Sequence, residues 1–275
     1  MHVGADQLRS VSASAKLDAA LLLAKVLQQP RTYLICHPQQ VLTGQQKTEF
    51  LQFIDRRCQQ EPMAYILGYQ EFWSLSLRCS PAALIPRPES ELLVEVTINL
   101  PLYKQHQNNT SPHLLDLGTG TGALALAIAK EQPDWNITGV DNSPAAIDLA
   151  KWNRDQLKLH QVDFIMSNWF SALGVHAFDI ILSNPPYIAA EDPHLANLIY
   201  EPQTALVAGD HGMADIEQII RQAKNYLQPG GYLLLEHGYQ QKLATARLLQ
   251  QHGYQQIKQL KDMADNDRVS YGMMR

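Results

Sequence analysis

Asn184-Pro185-Pro186-Tyr187 carries the strongest chemical signal in this chain, and it follows the apolar run Phe178–Ser183. The run reads as a buried strand. The four residues after it cannot continue a central strand, because neither proline has an N–H for the ladder and both have a fixed φ. The chain must leave the sheet in a stiff, extended turn. That turn presents an amide side chain, carbonyls without ladder partners and an aromatic ring. Oxygens there can accept two N–H bonds from a planar NH2 group while the ring packs on its face. The plainer reading is a tight strand-end turn with an incidental tyrosine.

Upstream, the short apolar strand at 113–117 runs into Gly118-Thr119-Gly120-Thr121-Gly122, and a helix pattern follows over 123–130. The glycines permit positive φ and close approach of a ligand to the backbone. Free N–H groups at a helix start favour an anion. With Ala123 the run also fits the dinucleotide pattern, so NAD is a candidate alongside S-adenosylmethionine. The next strand, 136–140, ends at Asp141, roughly 20 residues past the glycines, where a carboxylate can bond a ribose diol. Asp141 competes with Asn142, Ser143 and Pro144 for a helix-cap role. Both cofactors carry adenosine, so this pair of signals does not separate them. The amide-gripping turn does: methyl transfer to a planar NH2 needs one, and a dehydrogenase does not.

The elements that hold these residues alternate β and α. Helices are expected over 215–227 and 243–252, and a strand over 232–236 after Gly230-Gly231. An antiparallel pair, 254–260 and 268–274, closes the chain around a polar turn at 264–267. This predicts an α/β fold with a doubly wound, mostly parallel sheet and a ligand at the carboxyl ends of its strands. Before it, helical periodicity marks 11–29, stopped by Pro30, and 45–60, stopped by Pro62. Residues 1–70 are therefore expected to form a small helical domain, a docking module for a large substrate in preference to a stabilising cap. Residues 71–88 read as a linker with a β-hairpin, strand-like over 72–78 and punctuated by Pro81, Pro86 and Pro88. Residues 89–275 read as the catalytic domain, opening with a helix over 89–100 and a polar loop over 105–112.

Composition narrows the function classes. The 275 residues are 45% hydrophobic and 18% charged, enough for a full α/β core beside a smaller part. A net charge of −5 lowers the expectation of backbone-driven nucleic-acid binding. The first residues do not read as a signal peptide and no apolar run reaches membrane-spanning length. Cys36, Cys58 and Cys79 lack metal or redox spacing and read as free thiols in a reducing cytoplasm. The ten histidines form no metal motif, and His237 beside Glu236 reads as structural.

The chain resembles the HemK/PrmC family of protein-(glutamine-N(5)) methyltransferases along nearly its whole length. The shared motifs include Glu61-Pro62-Met63-Ala64-Tyr65-Ile66-Leu67-Gly68 and Glu71-Phe72-Trp73. They continue with Leu84-Ile85-Pro86-Arg87-Pro88-Glu89-Ser90-Glu91-Leu92-Leu93-Val94, the glycine loop and the Asn184–Tyr187 turn. Tyr200-Glu201-Pro202, Ala205-Leu206 and Leu235-Glu236-His237-Gly238 complete the set. The resemblance implies a Rossmann-like class I methyltransferase sheet with a helical N-terminal domain. It implies S-adenosylmethionine as cofactor, with S-adenosylhomocysteine as product. Asp116, Gly118, Thr119, Gly120, Thr121, Gly122, Asp141 and Asn184 would contact the cofactor, with Asn168 and Trp169 flanking the adenine. Asn184, Pro185, Pro186 and Tyr187 would bind the target glutamine, with Asn184, Pro185 and Tyr187 in the chemistry and no metal. The implied partner is a peptide chain release factor, with no stable nucleic-acid or membrane partner. Ser90 stands where the family usually has threonine, and Asn168 where an acid is common. Alternatives are methylation of a ribosomal-protein glutamine or of a DNA or RNA amine, the latter requiring a flipped base and a basic groove.

Overall fold

The structure, a computed structural model, describes residues 2–102, 111–174 and 177–275. The polar loop expected over 105–112 lies outside the described residues except for its last two positions. The chain divides into two compact units, Met1–Gln70 and Glu71–Arg275.

Among the described residues the first unit contains five helices, α1 (His2–Leu8), α2 (Ala15–Leu27), α3 (Arg31–Cys36), α4 (Gly44–Cys58) and α5 (Met63–Leu67). Its core gathers Leu8, Leu22, Leu23, Phe50, Ile54 and Ile66. The helix expected from position 11 begins only at Ala15. The hydroxyls of Ser12 and Ser14 each donate to the buried Asp18 carboxylate at 2.8 Å, which holds the chain in a turn before the helix. Helix α4 starts at a capping box in which Thr43 accepts from the Gln46 N–H and the Gln46 side chain accepts from the Thr43 N–H. Helices α1, α3 and α5 were not apparent from the pattern, since each is too short to show a helical period.

Two paired strands follow, β1 (Tyr69–Phe72), which spans the boundary at Gln70, and β2 (Leu75–Arg78) in the second unit. These two strands form the β-hairpin expected within 71–88; the alternating stretch 72–78 is broken by its turn, where Trp73 and Ser74 stand at φ 50° and 57°. The Trp73 N–H donates to Glu91 Oε1 at 2.8 Å, which fixes the turn to the helix that follows. That helix, α6 (Glu91–Ile98), is preceded by a 3-10 turn at Pro88–Ser90.

The main sheet comprises β3 (His113–Leu117), β4 (Asn136–Asp141), β5 (Val162–Met166), β6 (Phe178–Ser183), β7 (Leu227–Glu236), β8 (Gln255–Lys261) and β9 (Asp267–Met273). Helices α7 (Ala123–Glu131), α8 (Pro144–Leu157), the short turn α9 (Gly209–Gly212), α10 (Ala214–Ala223) and α11 (Lys242–Gln251) complete it. Its order is β5-β4-β3-β6-β7-β9-β8. Pairings from β5 to β7 are parallel, and β9 runs antiparallel to both neighbours. Alternate strand residues feed two cores. Leu114, Ile180, Leu182 and Leu234 pack with α6 and α7, while Leu115, Leu117, Ile181 and Leu233 pack with Ile216, Ile219 and Ile220 of α10. Strand β7 begins five residues before the expected position, running through Gly230-Gly231 with a register shift opposite Phe178 and Ile180. Helix α10 ends at Ala223, short of the expected 227.

The strand order reverses at β3, which lies between β4 and β6. A crevice opens at such a switch point, outside the strand carboxyl ends. The glycine loop, Asp141 and Asn184 all leave the sheet there. Among the described residues, no helix is long and apolar enough to cross a membrane and no cluster of side chains could hold a metal ion.

Asn153 ties α8 to this edge. Its Oδ1 accepts from the Arg78 N–H at 2.8 Å, and its Nδ2 donates to the Thr121 carbonyl at 2.9 Å. Asn153→Ala leaves the buried Thr121 carbonyl and the part-buried Arg78 N–H unpaired and is expected to destabilise the fold by about 2 kcal/mol, at roughly 1–3 kcal/mol per unsatisfied group. Urea unfolding would measure it, and an unchanged midpoint would remove Asn153 from this role.

Candidate functional site

A cavity of about 350 Å³ occupies the switch-point crevice. This is within the range of small-molecule sites, roughly 300–1,000 Å³. Gly118, Thr119, Gly120 and Thr121 form one wall. Gly118 and Gly120 stand at φ 71° and 56°, where a Cβ would be strained. The Trp169 ring covers Gly118, reaching 3.5 Å from where its Cβ would stand.

Asp141 meets this loop from the end of β4. Its Oδ2 accepts from the Gly120 N–H at 2.9 Å and its Oδ1 from the Ser143 N–H at 2.9 Å. The helix cap belongs to Ser143, whose hydroxyl accepts from the Ala146 N–H, with Pro144 in the first turn of α8. Asp141 lines the cavity with acceptor capacity left on each oxygen.

Across the cavity, Asn184 and Pro186 belong to the turn that ends β6. Asn184 Nδ2 donates to Ser90 Oγ at 3.0 Å. The Ser90 hydroxyl donates to Glu236 Oε2 at 2.6 Å, and the Tyr187 hydroxyl donates to Glu236 Oε1 at 3.2 Å. Glu236 is fully buried at the end of β7, and burial raises its pKa to about 6 against the lowering effect of the Ser90 bond and Arg268. Burial, and then the Glu236 charge, push the Tyr187 hydroxyl well above its usual range. Gln241 Nε2 donates to the Tyr187 carbonyl at 3.0 Å, so the turn is held at both its ends.

The Arg87 guanidinium pairs with the buried Glu201 carboxylate, whose other oxygen accepts from the Ile85 N–H at 3.0 Å. This pair joins the segment before the 3-10 turn to the loop after β6. Pro86, Arg87, Pro202 and Thr204 line the cavity on that side.

The expected residues do not all reach the cavity. Asp116 and Gly122 do not line it. Asp116 is fully buried beneath the loop and accepts from the Thr119 hydroxyl at 2.6 Å. Its pKa rises to about 7 through burial, partly offset by Thr119 and by the Ala125 N–H in the first turn of α7. The group set against that helix start is thus Asp116 itself, and it fixes the loop through Thr119. Pro185 is buried, and Tyr187 is half-buried against the core behind the turn. Asn168 and Trp169 line the cavity, as do Asp215 and Gln218 of α10, which sequence reasoning missed. Asp215 hydrogen-bonds Trp169, and burial raises its pKa. Its only signal in the sequence was a polar position in the first turn of an amphipathic helix. His237 is structural: it is buried, with its ring nitrogens on the Gly238 carbonyl and the Ser270 hydroxyl.

This strand order, with a glycine loop and an acid on adjacent strand ends, is that of the Rossmann-like class I methyltransferase fold. Residues 108–271 match the methyltransferase domain family and residues 1–68 the PrmC N-terminal domain. A solved methyltransferase from Pyrococcus furiosus, 20% identical, shares the fold with a TM-score of 0.53 over 72% of this chain and 88% of its own. The release factor glutamine methyltransferase of Shewanella oneidensis is 46% identical over 97% of this chain and 92% of its own length. That of Escherichia coli is 45% identical over 95% and 93%. The chain belongs to the release factor glutamine methyltransferase family.

The raised pKa of Asp116 has a signed consequence for stability. Between its ordinary 3.8 and about 7 the folded state binds more protons at this group than the unfolded state does. Its contribution to stability therefore falls as pH rises through that window. Asp116→Asn removes the titration, so the melting temperature of the variant minus that of the wild type should rise from about pH 5 to about pH 8. Calorimetry would record this, and a difference independent of pH would contradict the assignment.

Proposed function

We propose that the protein transfers a methyl group from S-adenosylmethionine to the side-chain amide nitrogen, N5, of the glutamine in the Gly-Gly-Gln motif of peptide chain release factors. The observation that carries this reading is the Asn184 amide. Its Nδ2 is committed to Ser90, which leaves Oδ1 as the acceptor for a ligand's N–H in a cavity shared with the glycine loop. The names of the relatives supply the substrate.

The residues present fit S-adenosylmethionine. The glycine wall admits close approach of a ligand backbone, Asp141 retains lone pairs for a ribose diol, and Trp169 offers a ring for the adenine. Asn168 and Asp215 offer acceptors near that ring. When bound, this cofactor supplies a methyl group already activated by its sulfonium.

The protein's task is to align a poor nucleophile, since the amide lone pair is delocalised into its carbonyl. In this reading Asn184 Oδ1 and the Pro185 carbonyl accept the two amide hydrogens and favour a nitrogen leaving the amide plane. The packing role expected of Tyr187 falls to Pro186, which lines the cavity, while Tyr187 stands behind the turn and braces it through Glu236. Alignment of this kind can contribute several kcal/mol, up to about 7–11 in the best systems. The oriented acceptors add stabilisation as positive charge develops on nitrogen. The alkylated amide then loses its proton to water, and no dedicated base is assigned. The helical unit is proposed to dock the protein substrate, using remote binding energy to orient one side chain.

Asn184→Ala should leave S-adenosylhomocysteine binding nearly intact and lower turnover at saturating substrate by about 100-fold or more. Turnover near wild type would make Asn184 a turn residue only. Asp141→Ala should weaken S-adenosylhomocysteine binding roughly 10–150-fold, the loss expected for charge-assisted hydrogen bonds. An unaltered calorimetric dissociation constant would remove the ribose role. For the substrate, labelled S-adenosylmethionine should mark a recombinant release factor, and the label should vanish when the tripeptide glutamine becomes alanine. Labelled DNA beside an inert release factor would transfer the assignment to a nucleobase amine.

A further inference from the structure

We propose that Glu236 is a positioning residue for methyl transfer: through the Ser90 hydroxyl its buried carboxylate dictates which end of the Asn184 amide is presented to the acceptor. This rests on the function proposed above and adds a directional device behind the turn.

The argument is one of donors and acceptors. An ionised carboxylate only accepts. Glu236 therefore takes the single hydroxyl proton of Ser90, at 2.6 Å, and the proton of Tyr187, at 3.2 Å. Ser90 Oγ, its proton spent, has only lone pairs to offer its other neighbour. Asn184 must then meet it with Nδ2, at 3.0 Å. The chain of bonds leaves Oδ1 free to receive an N–H.

A donor at position 236 reverses the chain. If the acid is protonated, or is an amide, its N–H or O–H can occupy Ser90 Oγ. The Ser90 proton then turns toward Asn184 and selects Oδ1. The amide rotates, Nδ2 faces the ligand, and a glutamine NH2 meets a donor instead of an acceptor. The two arrangements have nearly the same shape and opposite chemistry.

The location supports a role other than packing. Glu236 is 1% exposed at the end of a central strand. A buried carboxylate costs desolvation that an apolar residue of similar volume does not. Its surroundings are mixed in charge. Arg268 on β9 favours the ionised form, and Glu89 in the 3-10 turn disfavours it. Arg268 is itself bonded to Asp262 at 3.2 Å, so its charge is shared. Tyr187 contributes its hydroxyl bond. Burial outweighs these and puts the group at about 6, so the ionised, accepting form prevails above that pH and is lost below it.

The test uses the full-length protein, saturating S-adenosylmethionine and an unmodified recombinant release factor. Turnover is followed from about pH 5 to about pH 8.5 for the wild type, Glu236→Gln, Ser90→Ala, Ser90→Thr and the double variant Ser90→Ala/Glu236→Gln. Wild-type turnover should fall below about pH 6 with the loss of one ionised group. Glu236→Gln should turn over about 100-fold more slowly and lack that acid limb, while binding S-adenosylhomocysteine within about twofold of wild type. Ser90→Ala should match it, Ser90→Thr should restore turnover, and the double variant should be no slower than either single one. Multiplicative losses in the double variant would overturn the relay. So would wild-type turnover in Glu236→Gln, or equal losses in turnover and cofactor binding. If the wild type binds S-adenosylhomocysteine but leaves the release factor unlabelled, the proposed substrate is wrong and the Glu236 assignment falls with it.

Discussion

An asparagine side chain has two ends of nearly equal size, one accepting hydrogen bonds and the other donating them. Only its partners decide which end faces a ligand. In this protein the decision lies outside the turn that carries the asparagine. Asn184 Nδ2 meets Ser90 Oγ, and Ser90 can accept that bond because its own proton goes to Glu236. These residues leave the end of β6, the end of β7 and the start of α6. Their meeting requires β6 and β7 to be parallel neighbours in register, with Ser183 opposite Leu235. It also requires the 3-10 turn at Pro88–Ser90 to lie against both strand ends. The Arg87–Glu201 pair holds the approach to that turn against the loop after β6.

The remaining architecture supplies the other half of the site. The glycine loop stays close to β4 because Asp141 accepts its Gly120 N–H and Asp116 anchors Thr119 from below. Two acids thus act on one loop in different ways. Asp141 is half-buried and lines the cavity, whereas Asp116 is sealed in the core and holds its pKa near 7. Trp169 closes the loop's open side and is itself bonded to Asp215. Cofactor wall and amide turn face one cavity because the strand order reverses between β4 and β6.

Much of this was legible because buried parallel strands read as short apolar runs bounded by glycine, proline or acid. Residues 113–117, 136–141 and 178–183 all have that form, whereas the closing antiparallel pair was marked by alternation around a polar turn. Strand β5 does not, since it is an edge strand whose Ile165 and Met166 are 40% and 58% exposed. The hairpin was expected, but its turn at Trp73-Ser74 carried no glycine to mark its positive φ. Within the site, Gly118, Thr119, Gly120, Thr121, Asp141, Asn168, Trp169, Asn184 and Pro186 line one cavity. Sequence could not tell that Asp116 faces inward or that Asp215 faces the cavity, because both depend on how helices pack on the sheet. The Ser90–Glu236 bond spans 146 positions, and no local pattern foretells such a contact.

The most direct test is a crystal structure of the protein with S-adenosylhomocysteine and a peptide carrying Gly-Gly-Gln. The account requires Asn184 Oδ1 within about 2.7–3.2 Å of the glutamine amide nitrogen, with Nδ2 still on Ser90. A glutamine amide seated away from Asn184, or an Asn184 amide rotated so that Nδ2 faces the peptide, would contradict it.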